Sequence, residues 1–262
     1  MEKFAWIPFY EELAEKLLDY KDKRKRRKLV QFVYSLGECS RFIHSEDGSE
    51  VNDIDPYTMY SIFNRGQKAV TRMHIMQFYK EYFGIKSPIP NRFDGIPVMD
   101  NRRSTFFARS ESARQIPLLW ELFESEINGD KKQFIRSFDS LQQTKGIKWN
   151  ITIGAYWVKP LDYMPLDQYS RNYLINNDYD VFDENNLNGE KYLNLIDEIK
   201  KDIKKKRFES IPAISDIANG DVEDEEYIEN NIVNEDIQQY TDILRQKKNI
   251  ILQGAPGTGK TY

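Results

Sequence analysis

The chain has little of what builds covalently stapled or metal-centred proteins. Cys39 is its single cysteine, so no internal disulfide can form and sites built from several thiolates are excluded by count, which fits a reducing compartment. His44 and His74 are the only imidazoles, too few for a histidine-rich metal site. No run approaches the roughly 18 apolar residues that a membrane helix needs. The N-terminal stretch MEKFAWIPFYEELAEK puts Glu2, Lys3, Glu11 and Glu12 where a signal peptide would carry an unbroken apolar core. The expectation is a cytoplasmic protein without membrane contact. A dominant charge of one sign is also missing: 38 basic and 42 acidic residues leave a net charge of -4. The molecule as a whole therefore does not attract polyanions, and any nucleic-acid surface has to be local.

What is present is a globular composition, 40% hydrophobic and 13% aromatic, on a chain long enough for one or two cores. From Pro8 to about Gly37, Phe9, Leu13, Leu17 and Leu18, then Leu29, Phe32, Val33 and Leu36 recur at helical spacing. This predicts two helices divided near the KDKRKRRK run at 21–28. A polar loop is expected at 44–56, then a short segment at 57–66, then a helix from about Val70 to Phe83 ended by Gly84. KSPIPNRFDGIPVMDNRRS, 86–104, holds three prolines and Asp94-Gly95 and reads as turns and extended chain.

Helices are expected at about 112–128 and 130–145, with Ile116, Leu119, Trp120 and Phe123 on one face of the first. WNITIGAYWVKP, 149–160, alternates as a strand would but stands in a helical block, and the reading leans to helix. Two more helices are expected at 166–177 and 189–207. Residues 211–232 read as an acidic linker, with Asp216, Asp221, Glu223, Asp224, Glu225, Glu226 and Glu229 among few apolar side chains. The domain plan is thus 1–210, the linker 211–232, and a third part, 233–262, made of a helix, the strand-length run NIILQ and a glycine-rich loop.

That loop, Gly254, Ala255, Pro256, Gly257, Thr258, Gly259, Lys260 and Thr261, fits the phosphate-loop pattern. Its glycines let backbone amides close around phosphate oxygens. Lys260 would reach the β and γ phosphates, and the Thr261 hydroxyl would ligate Mg²⁺. Because the sequence stops at Tyr262, without the acidic strand and the sheet such a site needs, the chain alone is expected neither to bind nucleotide usefully nor to hydrolyse it.

KKNIILQGAPGTGKTY resembles the opening of the AAA+ domain in McrB-type restriction NTPases. WIPFYEELAEKLLDYK, IDPYTMYSIFNRG, FDGIPVMDNRRSTFF and WNITIGAYWVKPLDYMPLDQYSRNYL are similar to segments upstream of the motor in a subset of those proteins. The resemblance implies a mainly helical (α+β) specificity domain that reads DNA, modified or otherwise particular, followed by the first strand and phosphate loop of an α/β motor. It further implies Mg²⁺ with GTP or ATP, self-assembly, and a separate McrC-like nuclease subunit as partner, all through the motor.

The residues themselves offer several candidate DNA contacts. The Pro-rich loop carries Arg92, Arg102 and Arg103 beside Asn91 and Asn101, the residue types that read base edges, and Phe106 and Phe107 could stack on an extruded base or simply anchor the loop. Asn64 and Arg65, with Arg72, read as a phosphate clamp or a plain turn. The cation run at 21–28 could grip phosphates or be a solvated helix face, whereas Lys200, Lys201, Lys204, Lys205, Lys206 and Arg207 read as self-neutralised or solvated. Trp120, Trp149 and Trp157 sit in apolar patterns and are expected in the core. Glu198 and Lys200 match a nuclease E-x-K spacing, but in a charged helix this reads as chance. No catalytic acid–base pair or nucleophile elbow is found. A protein-interaction module that senses an effector is the alternative to DNA reading.

Overall fold

In the computed structural model, residues 3–99 and 105–220 are described, and they belong to one compact unit spanning 1–222. Helix α1 (Ile7–Leu18) starts with Pro8 in its first turn, where a missing N–H costs nothing, and buries Phe9, Tyr10, Leu13 and Leu17. The chain leaves helix at 19–22, and the Asp22 carboxylate accepts from Arg24 N to cap α2 (Lys23–Ser35). The two helices are thus divided at the start of the basic run, Lys21 and Asp22 standing in the break and the other six residues forming the first turns of α2. Six consecutive polar residues are helical here because the cap starts them and Leu29, Val30, Phe32 and Val33 bury the helix that follows.

Asp55 caps α3 (Pro56–Ser61), every residue of which is buried. Helix α4 (Ala69–Phe83) ends at Gly84, whose φ of 65° places it in the left-handed region that glycine adopts without strain. Helices α5 (Ser112–Asn128) and α6 (Lys131–Gln142) pack along one another, turned by Gly129 at φ 69° and by the Asp130 cap. Helix α7 (Asn150–Val158) packs on α1, α3 and α5, with all residues from Ile151 to Val158 buried. Its surroundings explain why its sequence lacks a clear period: a helix covered on every side has no polar face to mark.

Helices α8 (Gln168–Asn176) and α9 (Gly189–Lys204) are capped by Asp167 and Asn188. The ring of Tyr192 on α9 stacks with Phe138 at 5.6 Å and 13° and with Phe134 at 6.1 Å and 21°, fixing α9 on α6. The last helix among the described residues, α10 (Ile211–Asn219), occupies nine residues that the sequence assigned to the linker. Ser210 caps it, Pro212 lies in its first turn, and Ile211 and Ile214 are buried. Among the described residues there is no β-strand, only an isolated parallel bridge between Arg65 and Met99, so this part of the chain is mainly α and the β content of the α+β expectation is not found in it. The expected acidic stretch from 221 and the phosphate loop lie outside the described residues.

Candidate nucleic-acid interface

Prolines 88, 90 and 97 deny the segment 86–99 the donors for a regular ladder, so other groups hold it. Trp6 Nε1 donates to Asp94 O at 2.9 Å, and the Tyr156 hydroxyl donates to Gly95 O at 2.9 Å. Met99 N donates to Asn64 O at 2.8 Å, and Gly66 N returns a bond to Met99 O at 3.2 Å. Beyond the loop, Phe106 N donates to the Thr58 hydroxyl at 3.0 Å, and that hydroxyl donates to Asp55. Burial pushes the Asp55 carboxyl up to about 6 despite those hydrogen bonds.

The structure sorts the expected DNA contacts. Asn64 is fully buried, its Oδ1 accepting from the Tyr10 hydroxyl at 2.6 Å, and its Nδ2 has no hydrogen-bond partner. Arg72 is 4% exposed, with its guanidinium over the Phe93 ring at 4.3 Å. The Asn64 side chain thus ties the turn after α3 to α1, and the Arg72 side chain packs α4 on Phe93 of the Pro-rich segment. Arg92 donates to Asp94 Oδ1 through Nε at 3.0 Å and Nη2 at 2.7 Å, which spends its fork on a neighbour. Arg65 is half-buried, donating to Cys39 O at 2.9 Å while lying over Phe42 at 4.2 Å, and its cation has no carboxylate partner among the described residues. Arg102 and Arg103 lie outside the described residues. Phe106 and Phe107 are buried anchors, as are Trp120, which donates to Ile54 O, and Trp157. Trp149 is only partly buried, with the Phe182 ring stacked at 6.1 Å and the Arg171 guanidinium 4.5 Å from its ring.

The two basic runs differ in how far carboxylates pair them. On α9 and just after it, Lys200 pairs with Asp162 at 2.6 Å, and Lys205 and Arg207 both pair with Asp202 at 3.2 and 3.1 Å, so half of that run is neutralised, while Lys201, Lys204 and Lys206 are exposed with no ion-pair partner among the described residues. On α2, Arg26 turns inward to Asp53, but Lys23, Lys25, Arg27 and Lys28 are exposed with no ion-pair partner among the described residues. Arg24 has only Asp22, at 3.6 Å.

Beside them the structure reveals a feature the sequence reading missed. Val70, His74, Phe78 and Tyr82 form an exposed row along α4, and the Tyr82 hydroxyl donates to Lys28 O at 3.2 Å. The four-residue spacing was legible, but α4 is apolar on several sides, so nothing in the sequence told the covered face from the open one.

Among the described residues no three His, Cys, Asp or Glu side chains are grouped to hold a metal ion. Glu198 and Lys200 face different tasks on α9, Lys200 being tied to Asp162. Glu126 is buried on α5 close to the Tyr57 hydroxyl, although neither makes a hydrogen bond of ordinary geometry. Loss of hydration holds the Glu126 carboxyl well above the usual range, partly offset by Tyr57.

No helix among the described residues is long and apolar enough to cross a membrane. No curated protein and no solved structure matches the chain. The family model described as Domain of unknown function (DUF8425) matches residues 6–219, a span that runs from the residue before α1 to the last residue of α10. Most of the chain is thus one recognisable unit, and the protein belongs to the DUF8425 family of domains of unknown function.

Proposed function

We propose that residues 6–219 are the DNA-recognition module of a modification-dependent, McrBC-like restriction system, joined to an NTP-driven motor that begins near residue 233. The observation that carries this reading is the group of exposed cations in the first turns of α2, Lys23, Lys25, Arg27 and Lys28, which no carboxylate neutralises among the described residues. A molecule of net charge -4 that leaves the first turns of one helix this positive has a local surface suited to a phosphate backbone. Arg65, held over Phe42 without a carboxylate, adds a preset guanidinium elsewhere on the domain. The phosphate loop Gly254 to Thr261 supports the lineage: in this reading Lys260 and Thr261 bind GTP or ATP with Mg²⁺ in the motor, which recruits the nuclease subunit.

The test is a fluorescence anisotropy titration of the full chain against methylated and unmethylated duplexes over a range of salt. Binding whose logarithm falls linearly with log salt is expected, and no binding at low salt to any duplex or to the same strands unpaired overturns the reading. A second reading, a protein-sensing module, is favoured by Tyr169 and Ile175 on α8 and Ile217 on the adjoining α10, which are 62%, 53% and 59% exposed. Alanine at Arg102 and Arg103 separates the two, because a DNA reader loses affinity and salt slope while a protein sensor keeps its partner.

A further inference from the structure

The exposed row on α4 and the cations on α2 meet at one place. Phe32 on α2 stacks on Tyr82 at 4.3 Å and 29°, and packs edge-on to Tyr79 and Phe83. Arg24 and Lys28 lie two turns and one turn before Phe32, so helical spacing puts both on the side of α2 that faces the C-terminal end of α4. The bond from the Tyr82 hydroxyl to Lys28 O fixes that adjacency.

From Tyr82 the row runs back along α4 through Phe78 and His74, whose rings meet edge-on at 5.0 Å, to Val70. At 1.5 Å per residue it is about 18 Å long. Phe78 and Tyr82 are 43% and 40% exposed. The nearest carboxylate on α4, Glu81, lies on the adjacent row and accepts from Gln77.

We infer that this α2–α4 surface binds unpaired nucleotides, with Phe78 and Tyr82 as stacking platforms and Arg24 and Lys28 on the flanking phosphates. This rests on the DNA-reading proposal and locates its contact. Complementarity chooses the partner: exposed aromatic rings beside Lys28, which no carboxylate pairs among the described residues, and Arg24, which has only Asp22 at 3.6 Å, match a chain that alternates flat π surfaces with negative charge. In a duplex the base faces are already covered by their neighbours, so the aromatic row would touch nothing there. An unpaired or extruded base is what such platforms take.

The experiment titrates the full chain with labelled 12-nucleotide oligothymidine and with a duplex of equal length, for the native protein, Phe78→Ala and the double variant Arg24→Gln/Lys28→Gln. Phe78 is open to solvent, so its removal leaves the core intact, and thermal melts check this in both variants. The native chain is expected to favour oligothymidine. Phe78→Ala should weaken that binding roughly tenfold with its salt slope unchanged. The double variant should lower the slope by about 1.4, at about 0.7 per phosphate on a single strand.

Binding of nucleic acid with both variants equal to the native chain overturns this surface and leaves DNA reading standing. A duplex preferred over oligothymidine overturns the assignment to unpaired bases. Polyglutamate bound as tightly as oligothymidine, and lost in the same variants, gives the surface to an acidic protein instead. Absence of all nucleic-acid binding removes the DNA-reading proposal itself.

Discussion

Arg26 donates to both oxygens of Asp53, from Nε at 2.7 Å and from Nη2 at 2.9 Å, in a buried pair that ties α2 to the chain just before α3. Arg26 also donates to Lys21 O at 3.1 Å, and Asp53 Oδ1 accepts from Ile54 N, so the pair is hydrogen-bonded beyond itself. Asp53→Ala is expected to destabilise the fold by about 3–5 kcal/mol, because it strands a buried guanidinium. The double change Arg26→Met/Asp53→Leu should recover much of that loss. Urea denaturation of the three proteins decides it: a double variant no more stable than Asp53→Ala would mean the pair matters for packing and not for charge.

This pair also shows where the sequence was readable and where it was not. Arg26 stands among seven cations of similar chemistry, and its partner lies 27 residues away. The available clue was position: Arg26 precedes Leu29, Val30 and Val33 by three, four and seven residues, the spacing of the buried face. Helix α5 was legible end to end because Ile116, Leu119, Trp120 and Phe123 repeat and Gly129 closes it. Helix α10 was missed because nine residues hold barely two turns of pattern and acidic residues follow directly. Its Ser210 cap and Pro212 were the usable signal. The expected clamp at Asn64 and Arg72 followed residue type, and burial depends on contacts with Tyr10 and Phe93 that no local spacing encodes.

The docking of α10 depends on Gly95. Its φ is +67°, and a Cβ there would stand 2.6 Å from Pro212 O and 2.9 Å from Asp216 N, both backbone atoms that cannot swing aside. Gly95→Ala is expected to cost about 1–3 kcal/mol through overpacking and left-handed strain. Hydrogen exchange should show the loss as faster exchange in α10 first. Uniform acceleration across all helices would mean that α10 has no separate docking step.

Asn64 and Arg65 are neighbours with opposite expected behaviour. Asn64→Ala removes a fully buried hydrogen bond to Tyr10 and is expected to lower stability by about 1–2 kcal/mol. Arg65→Ala, at a half-buried site stacked on Phe42, should cost about 1 kcal/mol or less while weakening any DNA complex in which its cation takes part. Thermal melts and anisotropy on both variants give a crossed pattern if this holds. Equal melting temperatures for the two would contradict it.

The buried acid Glu126 gives the fold a pH dependence with a definite sign. Its carboxyl titrates well above the ordinary range in the folded chain because hydration is lost, so as pH rises past about 4.5 the unfolded chain releases its proton first. The folded state then holds more protons than the unfolded one, and stability falls with rising pH until the folded group itself ionises. Asp55, raised to about 6 by the same cause, adds a slope of the same sign between about 4 and 6. Replacing Glu126 by Gln removes one titration and keeps the shape. The stability of Glu126→Gln relative to the native chain should therefore increase with pH, by up to about 1.4 kcal/mol per unit, while the Asp55 contribution cancels in the difference. Guanidinium melts at pH 5, 6, 7 and 8 measure this directly, and a difference that stays constant across the series would show that Glu126 is ionised in the folded chain.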